Sequence, residues 1–395
     1  MVKSAISISF SYFLRYGLQL LGFLLVAKIL GPYTFGIFSA ILALSMLLGP
    51  IAEWGGYTLI LRESKEGIPV SESLNAAIFV TTLMSVGLVV AGLLVRAALF
   101  PALPLWPLLL VLITELLGSR MNMLATAAFS AVSKFRMISF FQVLIGALRL
   151  TMASLLYVFH GGLLAWSVLY CVSGIGLGLL ALYVVYQTCG LGVISYARMK
   201  KQVRTGGWFV LSIASQSLYM QADKLCLAFF STPEIVGYYA IATRCLAVAY
   251  MPLNAILTVY APKFFRLGQR HLRWAKKLGQ KVLILTLGYA LIASLLLYAG
   301  SFFLPMILGD PYALSAYILR YLIIVLIIQA VYYPMIDALN GGYREKTRTS
   351  LQLIAMAVNI GINLLLIPFF SWHGAVVALV LSQSILCLSW AVGRR

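Results

Sequence analysis

Charged residues, and acids above all, are scarce in this sequence. Only 10% of the 395 residues are charged, and Asp and Glu together number 10, whereas hydrophobic residues make up 62%. A typical soluble domain carries about 25% charged residues. Because no soluble core could hide so much apolar surface, the composition excludes an ordinary soluble protein and predicts a chain that crosses a membrane many times.

The chain also lacks the patterns from which metal centres and hydrolytic sites are built. It has five cysteines and three histidines, and no two cysteines have the spacing of a metal site or of a disulfide framework. We interpret the cysteines as small apolar residues. No Ser-His-Asp arrangement is recognisable, so we expect neither a metal, nor another cofactor, nor an enzyme active site.

Long apolar runs fill most of the sequence. A membrane-spanning helix needs about 20 mostly apolar residues, and we predict twelve such spans. They lie near Phe10–Leu30, Phe35–Trp54, Leu74–Arg96, Leu105–Ala128, Ile138–Val158, Leu163–Val185, Trp208–Phe230, Val236–Tyr260, Val282–Leu304, Ala316–Leu339, Leu351–Phe370 and Gly374–Val392. The first run has full spanning length and no small-residue cleavage site, so we interpret it as a membrane helix and not as a signal peptide.

The basic residues fall on alternate connections between these spans. One side receives positions 3, 62–65, 120–136, 198–204, 263–281, 344–348 and 394–395, while the opposite connections hold almost no Lys or Arg. Basic loops of membrane proteins stay in the cytoplasm. We therefore predict both termini in the cytoplasm, and the net charge of +19 needs no nucleic acid as a partner. The two longest basic connections, 186–207 and 261–281, are expected to form surface helices.

The two halves of the chain resemble each other. Placing Pro32 on Pro233 also places Gly36 on Gly237, and a slightly larger shift in the later spans places Arg149 on Asn359. Spans one to six and seven to twelve therefore look like two copies of one unit. Because six is an even number, both copies have the same orientation in the membrane.

This repeat predicts the domain organisation. We expect an N-terminal lobe of residues 1–190, a basic cytoplasmic linker of residues 191–207 and a C-terminal lobe of residues 208–395. The predicted fold class is an all-α membrane protein of twelve helices, in two parallel six-helix lobes around a central cavity. Two such lobes suit alternating access, in which they rock about a central site.

Several cations fall inside the predicted spans. Lys28, Arg96 and Arg320 lie near span ends, where long side chains reach the membrane surface. Four others lie deeper: Arg15, Arg149, Lys224 and Arg244. A cation at the centre of a span costs roughly 2.5–3.5 kcal/mol even on the gentler insertion scale, so such residues face a protein interior or a watery cavity.

Acids in the same regions are fewer. Glu115, Asp223 and Asp337 are the main ones, so a cationic excess remains even if all three are paired. A cavity of that charge favours an anion, and arginine binds phosphate or carboxylate oxygens with a planar fork of donors. The inferred ligand is an anionic molecule within the membrane.

Polar residues repeat along single helix faces next to these cations. Ser11 precedes Arg15 by one helical turn, and Gln142 precedes Arg149 by two turns. Gln216 and Asp223 lie on the same face of their helix. Asn359 and Asn363 form the equivalent stripe in the second half. These residues either line a cavity or form hydrogen bonds between helices, as polar residues in membranes commonly do.

Three stretches carry a family resemblance: "LGPYTFGIFSAILAL", "IAEWGGYTLILRE" and "QADKLCLAFFSTPEIVGYYAIATR". They resemble the bacterial polysaccharide transporters, the Wzx-type flippases of lipid-linked oligosaccharides, in the MOP superfamily that also holds the MATE exporters. The resemblance covers essentially the whole chain. It implies a V-shaped, twelve-helix flippase of the bacterial inner membrane that moves an undecaprenyl-pyrophosphate-linked sugar repeat, for O-antigen, capsule or a similar polymer, to the outer leaflet.

The resemblance also implies a site. The cationic cavity of the family would be represented by Arg15, Arg149, Lys224 and Arg244, with Arg62 at its cytoplasmic rim. With the polar faces, the candidate substrate-binding set is Arg15, Arg62, Arg149, Asp223, Lys224, Arg244, Gln216 and Asn359. A polysaccharide polymerase and a chain-length regulator are the candidate protein partners. The family often has Asp where this chain has Glu53, which leaves the role of Glu53 open.

Other functions remain as alternatives. A MATE-like exporter of small molecules shares the architecture, but we would expect an acid for cation coupling in its first lobe, where the first span offers Arg15. A lipid II flippase would carry two further spans, and a major-facilitator transporter would carry a Gly-rich basic signature after span two. A membrane glycosyltransferase or polymerase would need a sizeable outer loop with acids or histidines.

Overall fold

The computed structural model describes residues 2–190, 192–193, 196–269, 271–341 and 345–392, with side chains from residue 10 onward except at 208–209, 211–212, 272, 345–346 and 391–392. The regular structure in these ranges is helical. Its helices are α1 (Val2–Glu53), α2 (Gly56–Lys65), α3 (Val70–Leu99), α4 (Leu105–Ile113), α5 (Ser119–Ala131), α6 (Phe135–Val158), α7 (Leu163–Cys189), α8 (Tyr196–Phe230), α9 (Pro233–Gly268), α10 (Leu272–Ser301), α11 (Phe303–Leu308), α12 (Ala313–Gly341), α13 (Glu345–Phe370), α14 (Trp372–Leu386) and α15 (Ser389–Val392). The predicted loop cations Arg270, Arg344, Arg394 and Arg395 lie outside the described residues.

The predicted spans coincide with these helices. Within the described ranges, nine helical runs are long and apolar enough to cross a membrane. One of them, Phe10–Lys65, has 56 residues, more than twice the length of one crossing, and it contains the first two predicted spans. The seventh span lies in α8 and the twelfth begins in the shorter α14. The protein is therefore an all-α, multi-pass membrane protein, as predicted.

A proline begins the second spanning helix of each half. In α1 the helix is interrupted at Gly31, whose φ of 73° is accessible to glycine, and Pro32 follows. In the second half, Thr232 has extended dihedrals and Pro233 is the first residue of α9. Proline suits this position because it has no N–H to leave unpaired. The sequence repeat around the two prolines thus has a structural counterpart.

The chain divides into two compact units, Met1–Gln221 and Ala222–Arg395. This boundary falls inside α8, later than the predicted linker at residues 191–207. The reason is that the first part of α8 packs on the N-terminal unit. The indole Nε1 of Trp54 donates to the Val203 carbonyl oxygen at 2.9 Å, and Gly206 lies so close to Trp54 that a Cβ there would collide with its carbonyl.

Most described residues of the two long basic connections are helical, and they continue the spanning helices α7, α8, α9 and α10 without forming separate helices. The helix α9 continues to Gly268 and α10 begins at Leu272. Their ends carry the cations, and the Lys277 ammonium lies 5.3 Å from the ring centroid of Trp274. An added turn of helix satisfies its own backbone groups, whereas a loop must find other partners.

Each unit has its own apolar core. In the N-terminal unit the core lies between α2, α3, α5, α6 and α7, and the rings of Phe129 and Phe141 stack at its centre with centroids 5.7 Å apart. In the C-terminal unit Tyr332 and Ile336 of α12 pack with residues of α13 and α14. Both cores are fully buried, so they orient the polar side chains that lie beside them.

Glycines set the closest helix contacts in the N-terminal unit. A Cβ at Gly178 of α7 would lie 2.7 Å from the Gly118 carbonyl oxygen, and a Cβ at Gly118 would lie 2.8 Å from the backbone of Gly174. A second contact joins α6 to α1, where a Cβ at Gly146 would lie 3.0 Å from Arg15 Cα. Such small residues let backbones approach, which stabilises helix pairs in lipid.

We expect Gly178→Val to destabilise the protein, because its side chain would meet a backbone carbonyl that cannot rotate away. Overpacking of this kind costs about 1–3 kcal/mol in the free energy of unfolding. The measurement is the thermal unfolding midpoint of the purified protein in detergent. Gly176→Val is the matched control, since nothing lies within 4 Å of a Cβ at Gly176 on the same helix. Equal midpoints for the two variants would contradict the proposed contact.

Candidate functional site

Arg15 is the cation of the first span, and an amide is its hydrogen-bond acceptor. Its Nη1 donates to Oε1 of Gln142 on α6. Of the two roles considered for Gln142, the structure thus shows a hydrogen bond between helices. The Arg15 Nε is buried without a hydrogen-bond partner. No described carboxylate lies within ion-pair distance of this guanidinium. Its positive charge is therefore held in place by a neutral group and is not cancelled.

Arg149 lies two turns further along α6 and is enclosed by polar groups and an aromatic ring. Its Nη1 donates to the Tyr170 carbonyl oxygen at 2.9 Å and to Ser173 Oγ at 3.2 Å. Its Cζ lies 3.3 Å from the centroid of the Tyr170 ring, a cation–π contact. Its Nη2 is 4.0 Å from Oε1 of Glu115. Arg149 is thus packed inside the unit, with a carboxylate nearby.

Glu115 reaches Arg149 from a π-helical turn. This turn, Thr114–Gly118, joins α4 to α5, and such turns interrupt α-helices frequently at functional sites. The Tyr170 hydroxyl donates to Glu115 Oε1 at 2.6 Å, so one tyrosine contacts both members of the ion pair. The carboxylate offsets the charge of Arg149, and the cationic excess of this unit is smaller than a count of arginines indicates.

Arg120 and Glu53 form a second buried pair that the sequence analysis missed. Arg120, grouped with the loop cations, lies on α5 with its Nη1 3.6 Å from Oε2 of Glu53. The other carboxylate oxygen of Glu53 accepts the N–H of Tyr57, in the first turn of α2, at 3.0 Å. Glu53 therefore has a structural role, which the sequence had left open. No local pattern indicates this pair, because the two residues lie on distant helices.

Arg62 lies on the surface at the end of α2. Its Nε donates to Oε1 of Glu66 at 3.1 Å, and both side chains are exposed. Exposed pairs of this kind contribute about 1 kcal/mol or less. An anionic ligand could therefore compete with Glu66 for the guanidinium at little cost.

An ion-pair cluster next to Arg62 fastens the start of α8 to α2 and α3. Lys201 Nζ lies 3.0 Å from Glu63 Oε1, and Arg198 Nη2 lies 2.6 Å from Glu72 Oε2. The hydroxyl of Ser73 donates to the second oxygen of Glu63 at 2.6 Å. Together with the two buried pairs, this cluster gives every described acid of the N-terminal unit a basic partner.

In the C-terminal unit, Asp223 is held by two donors. Its Oδ1 accepts the backbone N–H of Lys224 at 2.8 Å, and its Oδ2 accepts the hydroxyl of buried Tyr239 at 2.6 Å. Asp223 and Arg244 are the charged groups that act on the Lys224 ammonium. The sequence repeat contained the signal for Tyr239, since Phe38 occupies its position in the first half and lacks the hydroxyl.

Asn359 and Gln216 complete the predicted set. Asn359 is buried; its Nδ2 donates to Ser382 Oγ at 3.2 Å and its Oδ1 accepts Nδ2 of Asn363 at 3.0 Å. Arg149, its counterpart in the first half, donates to Ser173 in the same way, so in each half the fifth spanning helix donates to a serine of the sixth. Gln216 lies exposed on α8.

We expect Glu115→Ala to destabilise the protein strongly, because it leaves the buried Arg149 charge without its carboxylate. Breaking a buried ion pair by removing one partner costs about 3–5 kcal/mol in the free energy of unfolding. The measurement is again the thermal unfolding midpoint. Glu66→Ala, which removes the exposed carboxylate beside Arg62, is the matched control and should change the midpoint little. A Glu115→Ala midpoint as high as that of the control would show that the pair does not stabilise the unit.

Two family models match this chain. The model of a family described as polysaccharide biosynthesis protein matches residues 1–268, and a model described as MatE matches residues 209–369. A protein of Haloferax volcanii, the probable low-salt glycan biosynthesis flippase Agl15, is 23% identical over 98% of this chain and 81% of its own length.

Solved structures show the same fold. The lipid II flippase MurJ in an inward closed conformation superposes with a TM-score of 0.75 at 13% identity, over 98% of this chain and 87% of its own. An inward-facing multidrug resistance MATE transporter of the MOP superfamily gives a TM-score of 0.70 at 13% identity, over 98% and 94% of the two chains. These identities support the fold alone. Since the first family model covers more than half of the chain, this protein belongs to the polysaccharide biosynthesis protein family.

Proposed function

We propose that the protein is a flippase that moves an undecaprenyl-pyrophosphate-linked oligosaccharide from the cytoplasmic to the outer leaflet of a bacterial inner membrane by alternating access. The repeat unit would serve O-antigen, capsule or a similar polysaccharide. Membership of a polysaccharide biosynthesis family supports the pathway. The name of the Haloferax relative and the fold shared with MurJ support the flipping of a lipid-linked glycan.

One observation carries the choice of an anionic substrate: the partner of Arg15 is an amide, and no described carboxylate pairs with it. The described acids of this unit are engaged elsewhere, and Gln142 orients the guanidinium without neutralising it. A cation so placed in a membrane is costly unless an anion or water compensates it. A pyrophosphate would supply that compensation, with oxygens that match the planar donors of arginine.

The remaining residues of the proposed substrate-binding set would contact different parts of the substrate headgroup. Arg149, Lys224 and Arg244 would add positive charge around the pyrophosphate, and Arg62 would meet it at the cytoplasmic rim. Asp223, Gln216 and Asn359 would contact the sugar hydroxyls, because carboxylates and amides accept or donate hydrogen bonds to such groups. The polyprenyl tail would stay in the lipid. No covalent step is needed.

Glu115 gives a reason why such a site would release its substrate. The distance of 4.0 Å between Glu115 and Arg149 is longer than a charge-assisted hydrogen bond of about 2.7–2.9 Å. A phosphate could therefore displace the carboxylate, and the carboxylate could return when the phosphate leaves. Reversible exchange of this kind keeps binding weak enough for transport. After release, a polysaccharide polymerase and a chain-length regulator would be the partners that receive the repeat unit.

We expect Arg15→Gln to block polysaccharide export, because it removes the uncancelled charge and leaves a neutral polar side chain in its place. Surface polysaccharide in a deletion strain that carries this variant should fall at least about tenfold, because one hydrogen bond to a charged group contributes about 1.5–3 kcal/mol. The pyrophosphate-linked oligosaccharide should accumulate in the lipid extract. Both quantities are measured at matched protein levels.

Lys28→Gln is the control for this experiment, since Lys28 is an exposed cation of the same helix α1 and its loss should leave export unchanged. Arg15→Lys tests whether charge alone suffices or whether the planar fork is needed. Normal export by Arg15→Gln would remove the basis of the anionic site. A deletion strain with normal polysaccharide but raised sensitivity to cationic drugs would favour the exporter alternative.

A further inference from the structure

A shallow apolar groove lies between α12 and α14 of the C-terminal unit. It encloses about 400 Å³, and Arg320 and Tyr321 lie at its head. Its walls are Ile324 of α12 and Val376, Val377, Val380 and Leu381 of α14. Ile324 and Leu381 are about half exposed, so the groove opens sideways, toward the surroundings of the helices. In a membrane-spanning protein those surroundings are lipid.

The cation at the head of the groove is oriented without being neutralised. Arg320 Nε donates to Ser301 Oγ at 2.9 Å, and the guanidinium lies 4.1 Å from the ring centroid of Phe302. No described carboxylate lies within ion-pair distance, and the terminal nitrogens make no hydrogen bond to a described residue. The side chain is thus fixed by α10 while its terminal donors remain for a ligand.

An aromatic cluster places this cation at the edge of the membrane. Tyr317 and Tyr321 near the start of α12 contact Trp372 at the start of α14, with ring centroids 5.9 and 5.6 Å apart. Trp372 stacks on His373 with a centroid distance of 3.6 Å. Tyrosine and tryptophan concentrate where the bilayer meets water. Arg320 therefore lies near the headgroups, and the groove runs from it toward the bilayer centre.

We propose that this groove binds one anionic phospholipid of the surrounding bilayer, with the headgroup phosphate on Arg320 and an acyl chain along α14. A single cation above apolar walls matches the chemistry of a phospholipid, whose charge and chain are joined in that order. Basic positions between spanning helices are a known form of lipid recognition. The groove offers no polar volume for sugars, so it suits a phospholipid better than a glycan carrier. The proposal does not depend on the proposed function.

The test compares lipid retention by the full-length protein, measured by native mass spectrometry after release from mixed micelles. The probes are phosphatidylglycerol and phosphatidylcholine with identical acyl chains. Wild-type protein should retain one phosphatidylglycerol about tenfold more strongly than phosphatidylcholine. The reason is that the phosphatidylglycerol headgroup is anionic, whereas the choline group of phosphatidylcholine carries a positive charge that repels Arg320. Arg320→Gln should abolish this preference.

Arg96→Gln is the matched control. Arg96 also lies near the end of its span, but it donates to the carbonyl oxygens of Leu103 at 2.6 Å and Pro101 at 3.5 Å. Its loss should leave lipid retention unchanged. Val377→Trp, which fills the groove from its exposed side, should lower retention while Arg320 stays in place, and this variant decides the matter if Arg320→Gln fails to fold.

Three outcomes would overturn the proposal. The first is an unchanged preference in Arg320→Gln. The second is an equal loss in Arg96→Gln, which would indicate a general effect of surface charge. The third is selective retention of a polyprenyl phosphate over phosphatidylglycerol, which would assign the groove to the lipid of a glycan carrier.

Discussion

The absence of water in the bilayer governs this structure, because a buried charge must find its partner within the protein. The N-terminal unit meets that requirement almost completely. Glu115 pairs with Arg149, Glu53 with Arg120, and the acids of α2 and α3 pair with the start of α8. Arg15 differs from these residues. It lies inside a predicted span, its partner is the amide of Gln142, and no described carboxylate pairs with it.

Backbone packing comes before these electrostatic contacts. Gly118, Gly174 and Gly178 bring the π-helical turn Thr114–Gly118 so close to α7 that a Cβ at any of them would collide with a neighbouring atom. That approach aligns the π-helical turn with α7 and directs Glu115 toward Tyr170 and Arg149. A change at one of these glycines would therefore disturb the ion pair between Glu115 and Arg149.

The two halves use one architecture for different chemistry. Phe38 and Tyr239 occupy equivalent buried positions, but the tyrosine hydroxyl in the second half binds Asp223. Arg149 and Asn359 both donate to a serine of the next helix, although one is charged and the other neutral. The repeat preserves the packing, and the substitutions within it distribute charge unequally. A symmetric ligand would not need such inequality, whereas a lipid-linked anion with a large polar headgroup would.

The sequence by itself determined that the chain is an all-α membrane protein, where its spans lie and that its halves repeat, because apolar run length, proline and glycine act locally. It also identified Arg15, Arg149, Lys224 and Arg244 as costly cations. Only the tertiary structure decided which of them is offset: Glu115 lies on another helix than Arg149, and Arg120, grouped with loop cations, pairs with Glu53. The order of residues does not indicate such contacts, because they depend on how the helices rotate and pack against one another.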